Sequence, residues 1–190
     1  MQLPVSKGGT LVGVFNIPNT LTITRILIIP VFITSIIYKR YDYSLYLFVI
    51  AAITDIFDGL FARLRNQKTV LGTFLDPLAD KFLLVTSFII LSSYGWMPKW
   101  VTITVISRDI IVITGWFLLY FIAGSSQVEP SVLGKITMWV QSFLIAYILL
   151  DIKLLSLPDN PRLLLWITMA ITILSGLHYI YKGLKLTHAG

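Results

Sequence analysis

The sequence predicts an all-α integral membrane protein, a bundle of six transmembrane helices. Three observations predict it. Hydrophobic residues make up 56% of the chain and the mean hydropathy is +0.84. Charged residues make up only 13%, about half the share of a soluble domain. The apolar residues gather into six runs, each close to the ~20 residues that cross a bilayer. An ordinary soluble globular enzyme and a disordered chain are both excluded by this composition. The 190 residues leave little room for a separate soluble domain, so 1–190 reads as one membrane domain with a flexible lead-in over 1–15. There are no cysteines, which removes disulfides, thiolate metal sites and a cysteine nucleophile. The net charge of +6 points to loops facing anionic lipid, not to nucleic acid.

The first span is predicted over residues 21–38, after a helix start at Asn16-Ile17-Pro18-Asn19-Thr20. Arg25 interrupts its apolar stretch, no small-residue cleavage site is clear, and further spans follow, so a signal peptide is not the reading. The second span covers 44–64 and the third 72–94, joined by a turn at Asn66-Gln67-Lys68. Trp96 and Trp100 flank Lys99 as an interfacial anchor before the fourth span, which ends near 122. The fifth span runs over 131–150 and the sixth over 161–184. With six spans the termini share a side. That side carries Lys7, Arg63, Arg65, Lys68, Lys182 and Lys185, against Lys39, Arg40, Lys99, Lys153 and Arg162 opposite. Arg25, Lys81 and Lys135 near span ends add to the first side, which places the termini and the loop after span two in the cytoplasm.

Asp55, Asp58, Asp76, Asp80 and Asp109 all fall inside predicted spans. A mid-membrane aspartate costs roughly 2.5–3.5 kcal/mol on insertion scales, so the first four would together cost on the order of 10 kcal/mol if left bare. Their spacing gives them a use. Asp55 and Asp58 are three apart and Asp76 and Asp80 four apart, so each pair shares one helix face. The short turn makes the two helices antiparallel neighbours, and the pairs are then expected to meet at a similar depth near the cytoplasmic face. Four converging carboxylates repel unless protons or cations neutralise them. Two divalent ions balance the charge, and an all-oxygen set favours Mg²⁺, Mn²⁺ or Ca²⁺ over Zn²⁺. Such a pair, about 4 Å apart, suits the clamping of a phosphate during in-line displacement. The six-helix bundle is thus expected to hold a polar metal site near its cytoplasmic face.

The neighbouring residues fit a phosphate ligand. Gly59 and Ala62 keep the helix face beside Asp58 shallow. Arg63 offers a bidentate fork for a diphosphate. Gly72 stands at the start of span three, where backbone N–H groups have no partner within the helix.

The string Asp55-x2-Asp58-Gly59-x2-Ala62-Arg63-x8-Gly72-x3-Asp76-x3-Asp80 resembles the full signature of the CDP-alcohol phosphotransferase family, and the resemblance extends over essentially the whole chain. It implies that a CDP-linked lipid binds with its cytidine between spans two and three and its diphosphate on two metal ions, Mg²⁺ or Mn²⁺. It implies Asp55, Asp58 and Asp76 as metal ligands, and Asp80 as the general base for an acceptor hydroxyl and a further contact of the metal. Asp58, Gly59, Ala62, Arg63 and Gly72 then form the nucleotide and diphosphate site. It also implies a homodimer in a bacterial cell membrane.

Asn16-Ile17-Pro18-Asn19-x-Leu21-Thr22-x2-Arg25, Asp76-Pro77-Leu78-Ala79-Asp80-Lys81, Arg108 and Leu133-Gly134-Lys135 resemble a narrower branch that makes anionic glycerophospholipids from CDP-diacylglycerol. Its acceptor is glycerol 3-phosphate in one group of enzymes and phosphatidylglycerol, giving cardiolipin, in another. Within the first group a glutamate usually follows the span-four arginine, a second arginine stands about eight residues on, and a Gly-Lys-x-Lys-Thr string is usual. This chain has Asp109, Trp116 and Gly134-Lys135-Ile136-Thr137-Met138 at those places. Glycerol 3-phosphate, the commoner bacterial acceptor, is taken first, with phosphatidylglycerol kept beside it. Arg25, Arg108 and Lys135 are candidates for binding the acceptor; for each, snorkelling or pairing with a carboxylate such as Asp109 is the competing role. Two rival functions remain. A cation or proton-coupled transporter would call for acids at the bilayer centre, inverted repeats and broken helices, and the acids here sit towards one face. An intramembrane aspartyl protease would need two aspartates sharing a proton, without an adjacent arginine.

Overall fold

The computed structural model describes residues 17–65, 70–123, 132–154 and 162–187, and side chains within 23–54, 81–115, 132–152 and 162–183. Six helices run in order: α1 (Ile17–Ile37), α2 (Tyr41–Arg65), α3 (Val70–Ser93), α4 (Lys99–Ala123), α5 (Val132–Leu154) and α6 (Arg162–Thr187). Each corresponds to one of the six apolar runs. Most reach a few residues further than the runs do, because a run ends where hydrophobicity ends while the helix continues through polar residues such as Tyr41-Asp42-Tyr43 and Asp151. Pro18 falls in the first turn of α1, where its missing N–H costs nothing. The lead-in over 1–15 and the turn at 66–68 lie outside the described residues.

Two compact units divide between Leu83 and Leu84. In unit 1, α1 packs on α2. Phe32 and Ile36 of α1 and Phe48 and Ala51 of α2 are fully or nearly fully buried, with the Phe32 and Phe48 ring centroids 6.2 Å apart. The reversal between them takes only residues 38–40. The Arg40 amide donates to the Ser35 carbonyl and the Lys39 amide to Ile36, with Lys39 at φ 58°. This is a Schellman C-cap with a lysine in the left-handed position that glycine usually fills. The Ser35 and Ser44 hydroxyls, 2.6 Å apart, tie the two helices just beyond it.

In unit 2 the same device closes α3: the Trp96 amide donates to Leu91 and the Gly95 amide to Ser92, with Gly95 at φ 77°. Tyr94 stacks on Trp96, and Trp100 lies against Trp166 of α6 with centroids 5.4 Å apart. Around Lys99 the structure thus has two aromatic pairs, one of which reaches the start of α6. Both α4 and α5 pack on α6. Beside an apolar core that includes Phe88, Leu91, Leu144 and Leu149, unit 2 buries several polar groups and exposes large aliphatic ones. Arg108, Asp109, Thr137, Gln141, Thr168, Thr172 and Ser175 are buried, while Ile103, Phe143, Leu163, Leu174 and Leu177 are exposed. Among the described residues, Val132–Ile152 and Arg162–Gly183 are long and apolar enough to cross a membrane.

Candidate active site

The signature residues occupy two consecutive helices. Asp55, Asp58, Gly59, Ala62 and Arg63 lie on α2, and Gly72, Asp76 and Asp80 on α3. Since α2 is helical across 55–63 and α3 across 72–80, the three- and four-residue spacings do put each acid pair on one helix face. Gly72 is the third residue of α3, so its amide is one of the four N–H groups that a helix start leaves without an intrahelical acceptor. The side chains from 55 to 80 lie outside the described ones. The donor set itself is chemically definite: four carboxylates, in a chain without thiols. Such a set fits hard divalent cations bound through oxygen.

The three acceptor candidates sit in different surroundings. Arg25, on α1 in unit 1, is 1% exposed. Lys135, in the first turn of α5, is exposed. Arg108, on α4, is buried, and its surroundings are the best defined. One terminal nitrogen, Nη1, donates to Asp109 Oδ1 at 2.8 Å. The other, Nη2, donates to Ser175 Oγ of α6 at 2.6 Å. Its Nε–H is buried and has no acceptor among the described residues. The pairing with Asp109 weighed from the sequence is thus real, and it leaves part of the guanidinium unused. A buried donor without a partner costs about 1–3 kcal/mol.

Arg108 stands at one end of a polar seam through unit 2. Thr168, Thr172 and Ser175 recur at four and three residues, so they line one face of α6. Gln141 of α5 donates to Thr172 Oγ1 at 3.2 Å. Thr137, where the branch usually has its second lysine, is 1% exposed and turns its hydroxyl back to the Leu133 carbonyl at 2.7 Å. The α6 contribution was missed from the sequence. The signal available was the Thr-x3-Thr-x2-Ser spacing, which hydroxyl residues scattered through apolar helices mimic easily.

The described residues are all-helical, and two of the helices are long and apolar enough to cross a membrane, as in a helical membrane protein. The chain belongs to the CDP-alcohol phosphatidyltransferase family, whose model matches residues 15–174. It is 36% identical to the CDP-diacylglycerol–glycerol-3-phosphate 3-phosphatidyltransferase of Bacillus subtilis (strain 168), over 89% of this chain and 95% of the relative. Enzymes of the same name from Wigglesworthia glossinidia brevipalpis and Aquifex aeolicus (strain VF5) are 33% and 32% identical. These alignments cover 87% and 90% of this chain, and 93% and 97% of the respective relatives. The protein is therefore a phosphatidyl-transferring enzyme, and the transporter and protease readings are set aside.

Proposed function

We propose that the protein transfers the phosphatidyl group of CDP-diacylglycerol to glycerol 3-phosphate, giving phosphatidylglycerophosphate and CMP. The observation that carries this reading is the near-complete coverage of relatives named for that reaction, joined to the ungapped signature over Asp55–Asp80. A hydroxyl oxygen of the acceptor bonds to the lipid-side phosphorus. The bond from that phosphorus to the bridging oxygen breaks, and CMP leaves with the oxygen. Asp80 takes the hydroxyl proton. Asp55, Asp58, Asp76 and Asp80 hold two ions, Mg²⁺ or Mn²⁺, whose chemistry when bound is to stabilise charge on the phosphoryl oxygens. Gly59, Ala62, Arg63 and Gly72, with Asp58, receive the cytidine diphosphate. Arg25, Arg108 and Lys135 receive the acceptor. The six helices form one domain of six spans, with the termini and the site on the cytoplasmic side, and the enzyme works as a homodimer.

One observation favours phosphatidylglycerol as acceptor instead, with cardiolipin as product. Trp116 and Thr137 stand where the glycerol 3-phosphate branch usually carries cations, and the buried Thr137 brings no charge. The two readings separate in one assay. Purified protein with CDP-diacylglycerol and Mg²⁺ is offered each acceptor in parallel, and the products are resolved. Release of CMP with glycerol 3-phosphate is expected. Release with phosphatidylglycerol alone would move the protein to the second reading, and none with either would refute the assigned reaction.

A further inference from the structure

The long, flexible side chain of Arg108 is fixed at three points, and α6 supplies two of them. Asp109 is its neighbour in the chain, about 100° round the same helix, so their contact bends the guanidinium to one flank of α4. That single tie leaves the arginine able to pivot. Ser175 adds a second tie from another helix, at 2.6 Å. Gly176 adds the third: a side-chain carbon built there would lie 3.4 Å from Arg108 Cγ. The aliphatic stem therefore runs close along α6 while the head reaches Ser175. One turn on, Tyr179 lies over Gly115 of α4, where an added carbon would meet its ring at 3.7 Å. That contact is a second close approach of α6 to α4. Ser175 is fully buried and Arg108 is 8% exposed, so neither group is loosened by solvent. The buried Nε–H, with no acceptor among the described residues, is the donor this arrangement leaves over.

We propose that Ser175 is a positioning residue for the acceptor: with Asp109 it holds the Arg108 guanidinium so that Nε–H stays available to a phosphate oxygen of the incoming alcohol. This deepens the reading of Arg108 as an acceptor ligand and rests on it. Asp109 offsets the arginine's charge, so attraction to the acceptor depends on a directed hydrogen bond more than on net charge. Such a bond needs a guanidinium that cannot pivot.

The test uses the full-length protein in lipid–detergent micelles, with CDP-diacylglycerol, Mg²⁺ and varied glycerol 3-phosphate. Ser175→Ala is expected to raise the acceptor KM about tenfold, the order of one hydrogen bond to a charged group. The kcat and the KM for CDP-diacylglycerol should stay within about twofold, and Ser175→Thr, which keeps the hydroxyl, should recover most of the loss. In Arg108→Lys the same serine substitution should add nothing, because its effect passes through the guanidinium. An acceptor KM indifferent to Ser175→Ala, equal losses for both substrates, or an undiminished effect in Arg108→Lys would overturn the proposal. No transfer by the unmodified protein would overturn the reaction, and this proposal with it.

Discussion

In the proposed reaction, Asp80 is the residue assigned the proton transfer and Thr137 the one that bears on the choice of acceptor. An asparagine at 80 keeps the size and one oxygen of aspartate but cannot take the hydroxyl proton. Asp80→Asn is expected to lower turnover by at least about two orders of magnitude, the usual contribution of general-base catalysis, while binding of CDP-diacylglycerol persists. Near-normal CMP release would remove Asp80 as the base. Thr137 poses the converse question. A lysine there would enter the packed interior of unit 2, where an ammonium is costly unless an anion meets it. Thr137→Lys combined with Trp116→Arg is expected to raise kcat/KM for glycerol 3-phosphate severalfold over phosphatidylglycerol; an unchanged ratio would take both positions out of the acceptor pocket. At this scale the sequence singled out the acids, because a carboxylate in an apolar run has few other uses; their side chains lie outside the described ones. It was least informative about Ser175, since a serine in a helix can satisfy itself by bonding back to its own backbone, as Thr168 does to Leu164.

The helices themselves were legible. Apolar runs of bilayer length left little choice of element, and the deviations are confined to their ends. What hydropathy could not show is how the ends are closed, since a C-cap is a matter of two or three backbone angles. The caps after α1 and α3 are alike in hydrogen bonding but not in residue: Gly95 suits its φ of 77°, and Lys39 at 58° does not. A non-glycine residue in the left-handed region costs roughly 1–2 kcal/mol. Gly95→Ala is accordingly expected to destabilise by about 1 kcal/mol. Lys39→Gly should stabilise by up to about 1 kcal/mol, after allowing for the extra chain entropy glycine loses on folding. Thermal unfolding of the detergent-solubilised protein measures both. A stabilised Gly95→Ala, or a destabilised Lys39→Gly, would mean that these left-handed positions do not favour glycine as argued.

At the scale of the whole chain, composition predicted an all-helical protein before any helix was placed, and large aliphatic side chains do stand exposed among the described residues. The Lys and Arg counts on the two predicted sides are nearly balanced, so orientation rests on a small margin while the reaction class rests on eight residues at fixed spacing. On the proposed six-span reading, biogenesis adds a constraint of its own to the Arg108 contacts. Ribosomes deliver α4 before α6, and Ser175 follows Arg108 by 67 positions. When the arginine first meets the hydrocarbon, its hydroxyl partner has yet to be synthesised, whereas Asp109 emerges immediately behind it. With α4 as a span, adjacency in the chain would let a cation enter the bilayer already neutralised, and the later helix would then refine what the earlier one has made admissible. Asp109→Asn should therefore lower the integration efficiency of α4 in a glycosylation-tagged translocon assay, and Ser175→Ala should leave it unchanged; equal behaviour of the two variants would divorce the ion pair from insertion.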